Sequence, residues 1–146
     1  MKMFSKEISV ESTTQIELID ITDFVREAIR ESGVVNGFVH VFAPHTTMSI
    51  RINHNEDMLK QDFMRMLYRL VPVDDQYSHD LFELRRDAKA DGRSNGHSHC
   101  KALLLGSSES IPVKDGHMSL SDIQSIFAIE FDGARKRDLT IHILGE

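Results

Sequence analysis

A close succession of short β-patterned runs in the second half restricts this chain's fold more than any other feature. Runs near residues 99–105, 111–113, 118–120, 124–131 and 137–144 are apolar or alternate apolar with polar residues. Gly116 and Asp132-Gly133 supply turn signals between them. Residues 4–10 and 15–20 add two more runs, with 11–14 as the turn of an expected hairpin. Strands gathered in this way, with helical segments kept apart, define an α+β fold of mostly antiparallel strands.

Two main helices are expected between the strand groups. Thr22 is a suitable N-cap for a helix through Ser32, with Phe24, Val25, Ala28 and Ile29 on one face and Gly33 as its stop. Strands follow at 37–43 and 48–53, joined by the loop Pro44-His45-Thr46-Thr47. Asn55 can cap a second helix over 56–70, whose apolar face is Met58, Leu59, Phe63, Met66, Leu67 and Leu70, with Pro72 ending it. Residues 73–97 are weakly patterned, with Leu81, Phe82 and Leu84 as anchors, and a loop of that length in a compact domain is often functional. At 146 residues the chain reads as a single domain over 1–146.

Composition narrows the function classes. No apolar run nears the roughly 20 residues that cross a bilayer, and residues 1–7 lack the apolar core of a signal peptide. A cytoplasmic location is the expectation, and a single cysteine, Cys100, fits a reducing compartment. A net charge of −6 argues against a nucleic-acid partner, which would want a basic surface. Eight histidines favour a site without locating it.

The residues that can carry chemistry gather in a few places. His45, His79 and His99 sit among small polar residues at strand or loop edges. On a strand, His97, His99 and Lys101 would share one face, and Cys100 would point the other way, buried and inert. Asn53-His54-Asn55-Glu56-Asp57 lies at a strand-to-helix junction, where a cap and an anion contact are both at home. Gly106-Ser107-Ser108 is either a phosphate cradle or only a turn, and Lys101 and Arg135 supply cations. Alternation places Glu130 and Asp132 on one face, where they want a cation, a metal or a proton role unless they are solvated. His40 and His142 read as hydrogen-bonded strand positions and His117 as a turn residue.

Taken in order, the stretches His45-Thr46-Thr47, Asn53-His54-Asn55, Tyr77-Ser78-His79-Asp80, Asn95-Gly96-His97-Ser98-His99-Cys100-Lys101, Leu105-Gly106-Ser107-Ser108, Ile111-Pro112-Val113, Gln124 and Glu130-Phe131-Asp132-Gly133-Ala134-Arg135 resemble the YjbQ-like family. Its members are often labelled secondary thiamine-phosphate synthases. The resemblance implies a barrel-like β-sandwich that assembles as a homotrimer, with its site at or near subunit boundaries. It also implies weak thiamine-phosphate synthase activity on small anionic metabolites, in which a thiazole phosphate nitrogen displaces pyrophosphate from an aminopyrimidine methyl pyrophosphate. Family histidines map onto His45, His79 and His99, as catalytic residues and as ligands of a divalent metal, zinc or magnesium. Arg135 joins them as a catalytic candidate. Asn53, Asn55, Lys101, Gly106, Ser107, Ser108, Gln124, Glu130 and Asp132 map onto substrate contacts.

The chain departs from the family at Ser121-Asp122-Ile123-Gln124, where Gly-Thr-Trp-Gln is usual, and it has no tryptophan at all. His54 stands where an acid is common, Cys100 where leucine is, and Ala134 where proline is. Two function classes follow: a transferase for a small metabolite, and a non-catalytic trimer that binds a metal or a small anion.

Overall fold

A computed structural model describes residues 1–84 and 92–146. Among them are eight strands, β1 (Lys2–Glu11), β2 (Glu17–Asp20), β3 (Gly37–Phe42), β4 (Met48–His54), β5 (Ser108–Lys114), β6 (His117–Met118), β7 (Gln124–Glu130) and β8 (Lys136–Gly145). Three α-helices accompany them, α1 (Thr22–Ser32), α2 (Asp57–Leu70) and α3 (Gly96–Leu105), with two short 3-10 turns at Ser78–Asp80 and Phe82–Leu84. The strands form two antiparallel sheets, in the orders β1-β8-β3-β5-β6 and β2-β7-β4. Among the described residues no helix is long and apolar enough to cross a membrane.

Period-two alternation explains where the core lies. In β8, Leu139, Ile141 and Ile143 point inward while Asp138 and His142 are exposed. They meet Val39 and Val41 of β3, Ile50 of β4, Ile126 and Ala128 of β7, and Val25, Ala28 and Ile29 of α1. Each such aliphatic side chain contributes about 1.5–3 kcal/mol on full burial, which makes this layer the main stabilising term. On the outer face of the smaller sheet, Phe127, Ile129 and Phe131 join Leu67 and Ala102 in a second cluster, beneath α2 and α3.

Several expectations change. The strands β1 and β2 are not a hairpin: β1 lies along β8, from Lys2↔Gly145 to Glu11↔Lys136, and β2 pairs with β7. Ser12 marks the crossing between sheets, its N–H donating to the Arg135 carbonyl at 3.0 Å and its hydroxyl accepting from the Arg135 N–H at 3.0 Å. Alternation shows that a strand exists but not which neighbour it takes. In α1, Phe24 is 48% exposed and leaves the buried face to Val25, Ala28 and Ile29, and the Asp20 carboxylate rather than Thr22 accepts the first N–H, that of Thr22 itself. In α2, Glu56 rather than Asn55 is the cap, accepting from the N–H groups of Met58 and Leu59. Only Leu67 of α2 is buried; Met58, Met66 and Leu70 face solvent.

The largest change concerns residues 99–105, expected as a strand and found within helix α3, so the helices number three rather than two. Residues 96–105 contain no β-branched side chain and end in Lys-Ala-Leu-Leu-Leu, all strong helix formers. A short apolar run has no periodicity of its own to separate strand from helix. Once helical, the segment buries Gly96, His97, Ser98, Lys101 and Ala102 against the smaller sheet and turns Leu103 and Leu104 outward. The weakly patterned stretch 73–97 includes residues 85–91, which lie outside the described residues. Of its expected anchors, Leu81 and Leu84 are exposed.

Candidate functional site

Helical spacing decides which side chains of α3 meet the interior. His97 and Lys101 stand four residues apart and share one face, whereas His99 turns away from both. The Lys101 Nζ and His97 Nδ1 are 2.7 Å apart, and both residues are fully buried. His97 Nε2 lies 3.3 Å from the Gln15 amide nitrogen, and the neighbouring Ser98 hydroxyl donates to the Phe131 carbonyl at 2.6 Å. Among the described residues no carboxylate forms an ion pair with Lys101. Burial pulls its ammonium from 10.5 down to about 8. Burial, and then the charge of Lys101, lowers the His97 imidazole as well, which keeps it neutral.

Two acids close the site at the end of β7. Glu130 lies between the sheets and accepts from Arg137 through both oxygens at 2.7 Å, and Arg137 also donates to the Thr47 hydroxyl at 2.6 Å. Asp132 accepts from the Asn95 amide at 2.9 Å and pairs with Arg93 and Arg135 at 3.4 Å each. Its N–H donates to Glu130 at 3.0 Å, which ties the two acids together. Asn95 caps the start of α3, its side-chain oxygen buried without a partner, and the Gly96 N–H donates to Asp80 at 3.1 Å. Asp132 lies past the end of β7, where alternation no longer sets its direction, and the cations the two acids meet are Arg137 for Glu130 and Arg93 and Arg135 for Asp132.

The other expected residues lie elsewhere. His79 and His99 meet edge to face with ring centres 4.6 Å apart, while His45 bonds through Nε2 to the Asp138 carbonyl at 2.8 Å. Among the described residues no three His, Cys, Asp or Glu side chains gather to hold a metal ion, so these three histidines do not converge within one chain. Lys101 shares its face with His97 rather than His99, and Cys100 is exposed rather than buried, both because the segment is helical. Gly106-Ser107-Ser108 follows the C-terminus of α3, about 15 Å along the helix from Asn95. Arg51 donates there to the Leu105 carbonyl, as the negative end of a helix attracts a cation. Asn53 accepts from the N–H of His54, Asn55 donates to Asp20, and Gln124 accepts from the Ser121 N–H. These contacts are local, and Gln124 sits about 20 Å along β7 from Glu130.

Sequence reasoning missed Arg137 and gave Asn95 no role of its own, and it set His97 beside His99 and favoured His99. An i, i+4 pair was present for His97 and Lys101, but a strand assignment hides it. Arg137 is in step with Leu139, Ile141 and Ile143, so the inward face of β8 was its only signal.

The two-sheet α+β sandwich, with a buried lysine–histidine contact and an Arg–acid cluster at one end, defines a class of small proteins with a polar site at the edge of the core. The chain belongs to the UPF0047 YjbQ-like family, whose model matches residues 6–146. It is 38% identical to a UPF0047 protein of Methanothermobacter thermautotrophicus over 100% of this chain and 95% of that one. It is 33% identical to UPF0047 protein YugU of Bacillus subtilis over 96% of this chain and 98% of that one. Its fold is similar to the crystal structure of a YbjQ-like protein of unknown function from Sulfolobus solfataricus P2, with a TM-score of 0.90, 33% identity and 99% of each chain covered. A hypothetical protein from Aeropyrum pernix K1 is similar with a TM-score of 0.87 and 30% identity, over 97% of this chain and 98% of that one.

Proposed function

We propose that the protein is a small-molecule transferase of the thiamine-phosphate synthase type, acting at the cluster formed by Lys101, His97, Asp132, Arg93 and Arg135. The observation that supports this reading most is Lys101, a buried amine facing an imidazole with no carboxylate paired to it among the described residues. A site of that kind gains most when an anion arrives. Departure of pyrophosphate leaves charge on its oxygens, and fixed cations in a desolvated site stabilise it. Arg135 and Arg93 are each about one-third exposed, so they are the first cations an incoming phosphate meets. His97, held neutral, relays a proton to or from Lys101. The reaction needs no covalent nucleophile.

Among the described residues of one chain, His79 and His99 come together while His45 lies apart, so a divalent ion would need a further ligand. Zinc or magnesium would need His45 of a second copy, as in the homotrimer the resemblance implies.

The test is turnover of the two thiamine precursors by the purified protein. Arg135→Ala is expected to lower the rate about 100-fold. His99→Ala should be tolerated unless a metal is used, and added chelator would then match its effect. A wild-type protein with no turnover removes the enzyme reading.

A second reading, a non-catalytic homotrimer that binds a small anion, is favoured by Leu103 and Leu104. They stand 87% and 57% exposed on the outer side of α3, a surface that a second copy would cover. Sedimentation at micromolar concentration distinguishes one copy from three.

A further inference from the structure

Lys101 has a chemical capacity that the transfer reaction leaves unused. A protonated lysine has three hydrogens to place, yet among the described residues one acceptor bonds it, His97 Nδ1 at 2.7 Å. Taking an ammonium out of water without a counter-charge is costly, so near neutral pH a much larger fraction of Lys101 is free amine than of a solvated lysine. A neutral primary amine has a lone pair and is a nucleophile, the property that makes desolvated lysines suited to imine formation. The same group can serve a phosphate as a cation, because an arriving anion holds the proton on it.

We propose that Lys101 forms an imine with a small aldehyde or ketone, with His97 as the proton carrier. The Nζ lone pair adds to the carbonyl carbon, and the carbonyl π pair moves to oxygen, which takes up a proton. Nζ passes its own proton to His97 Nδ1, which gives a neutral carbinolamine. His97 then returns a proton to the departing oxygen, the C–O bond breaks, and the nitrogen lone pair closes the C=N bond. One amine, one carbonyl and the one proton taken up from solvent yield one protonated imine and one water, with no oxidant or reductant. Gln15 is exposed and its amide lies 3.3 Å from His97, so the pair is joined to the surface through that side chain. Arg93 and Arg135, bound to Asp132 beside Asn95, favour a carbonyl compound that carries a phosphate or carboxylate. The inference rests on the same buried cluster as the proposed transferase but not on its reaction.

The experiment treats the native protein with glycolaldehyde phosphate or propionaldehyde in the presence of cyanoborohydride and maps the reduced adducts by peptide mass spectrometry. Lys101 is expected to be alkylated about tenfold faster than the exposed Lys114 and Lys136 near neutral pH, because more of it is free amine. Its rate should climb with pH and level off above about 8, where deprotonation is complete. The phosphorylated probe should outpace the neutral one, and Arg135→Ala should remove that preference. His97→Asn should slow labelling of Lys101 and leave Lys114 unchanged. If His97→Asn does not fold, Gln15→Ala, at an exposed position, should quicken labelling of Lys101 alone. Labelling of Lys101 no faster than that of Lys114, or only after denaturation, overturns the proposal. Thiamine-type turnover with an unlabelled Lys101 overturns this inference alone; labelling without turnover removes only the transferase.

Discussion

Replacing Glu130 with alanine is expected to destabilise the protein by about 3–5 kcal/mol, among the largest effects of any single substitution in this chain. Glu130 is fully buried and Arg137 is 6% exposed, so neither charge has water to fall back on. Two parallel bonds of 2.7 Å join them, and the Thr47 hydroxyl and the Asp132 N–H complete the network. Removing the carboxylate strands the guanidinium between the sheets, and that stranded charge sets the size of the loss. The double variant Glu130→Met, Arg137→Met should therefore lose much less, because both charges leave together. Urea denaturation at constant m-value provides the comparison. A single variant within about 1 kcal/mol of wild type would show that water reaches Arg137 after all.

Lys101→Met should act in the opposite direction and stabilise the protein by about 1–3 kcal/mol near neutral pH. Methionine fills a similar volume and removes the desolvated charge. The sign of the pH dependence follows from the proton count. Between about 8 and 10.5 the unfolded chain holds a proton on Lys101 that the folded chain has released. Wild-type stability therefore rises with pH across that window, and below it the full penalty applies, about 3 kcal/mol. Melting curves of wild type and Lys101→Met should converge as pH approaches 10. His97 acts in the acid range. Its lowered affinity for protons means that the unfolded chain takes one up first as pH falls through 6.5, and wild-type stability drops there too. A Lys101→Met gain that is flat from pH 6 to 10 would show that Lys101 stays charged when folded.

Residue patterns revealed the strands of both sheets and the buried face of α1 apart from Phe24. Each of these rests on local periodicity, which side-chain direction alone enforces. Pairing partners were not legible, because nothing in 4–10 or 15–20 says that β1 must run beside β8 rather than β2. Helix α3 was hidden for a different reason. Its ten residues bury three polar side chains, His97, Ser98 and Lys101, so its inner face does not look apolar. That single assignment moved the interest from His99 to His97 and turned Cys100 outward. The family likeness pointed to Lys101, Asp132 and Arg135, which the fold does bring to one end of the sandwich. It pointed equally to Gly106-Ser107-Ser108 and Gln124, which lie at other ends of their elements.

Helix α2 is fastened to the molecule chiefly at Leu67, although it is fourteen residues long. Beneath it, Leu18, Ile52, Phe127 and Ile129 line an apolar hollow of about 180 Å³. Detaching this helix exposes little surface that was buried before, so its amides exchange hydrogen with solvent through small local openings. Those of β8, hydrogen-bonded on both sides by β1 and β3, must await global unfolding. The molecule thus combines a slow interior with a fast flank. That flank is where a loosely held helix and a ready hollow leave room for adaptation at small cost to the rest.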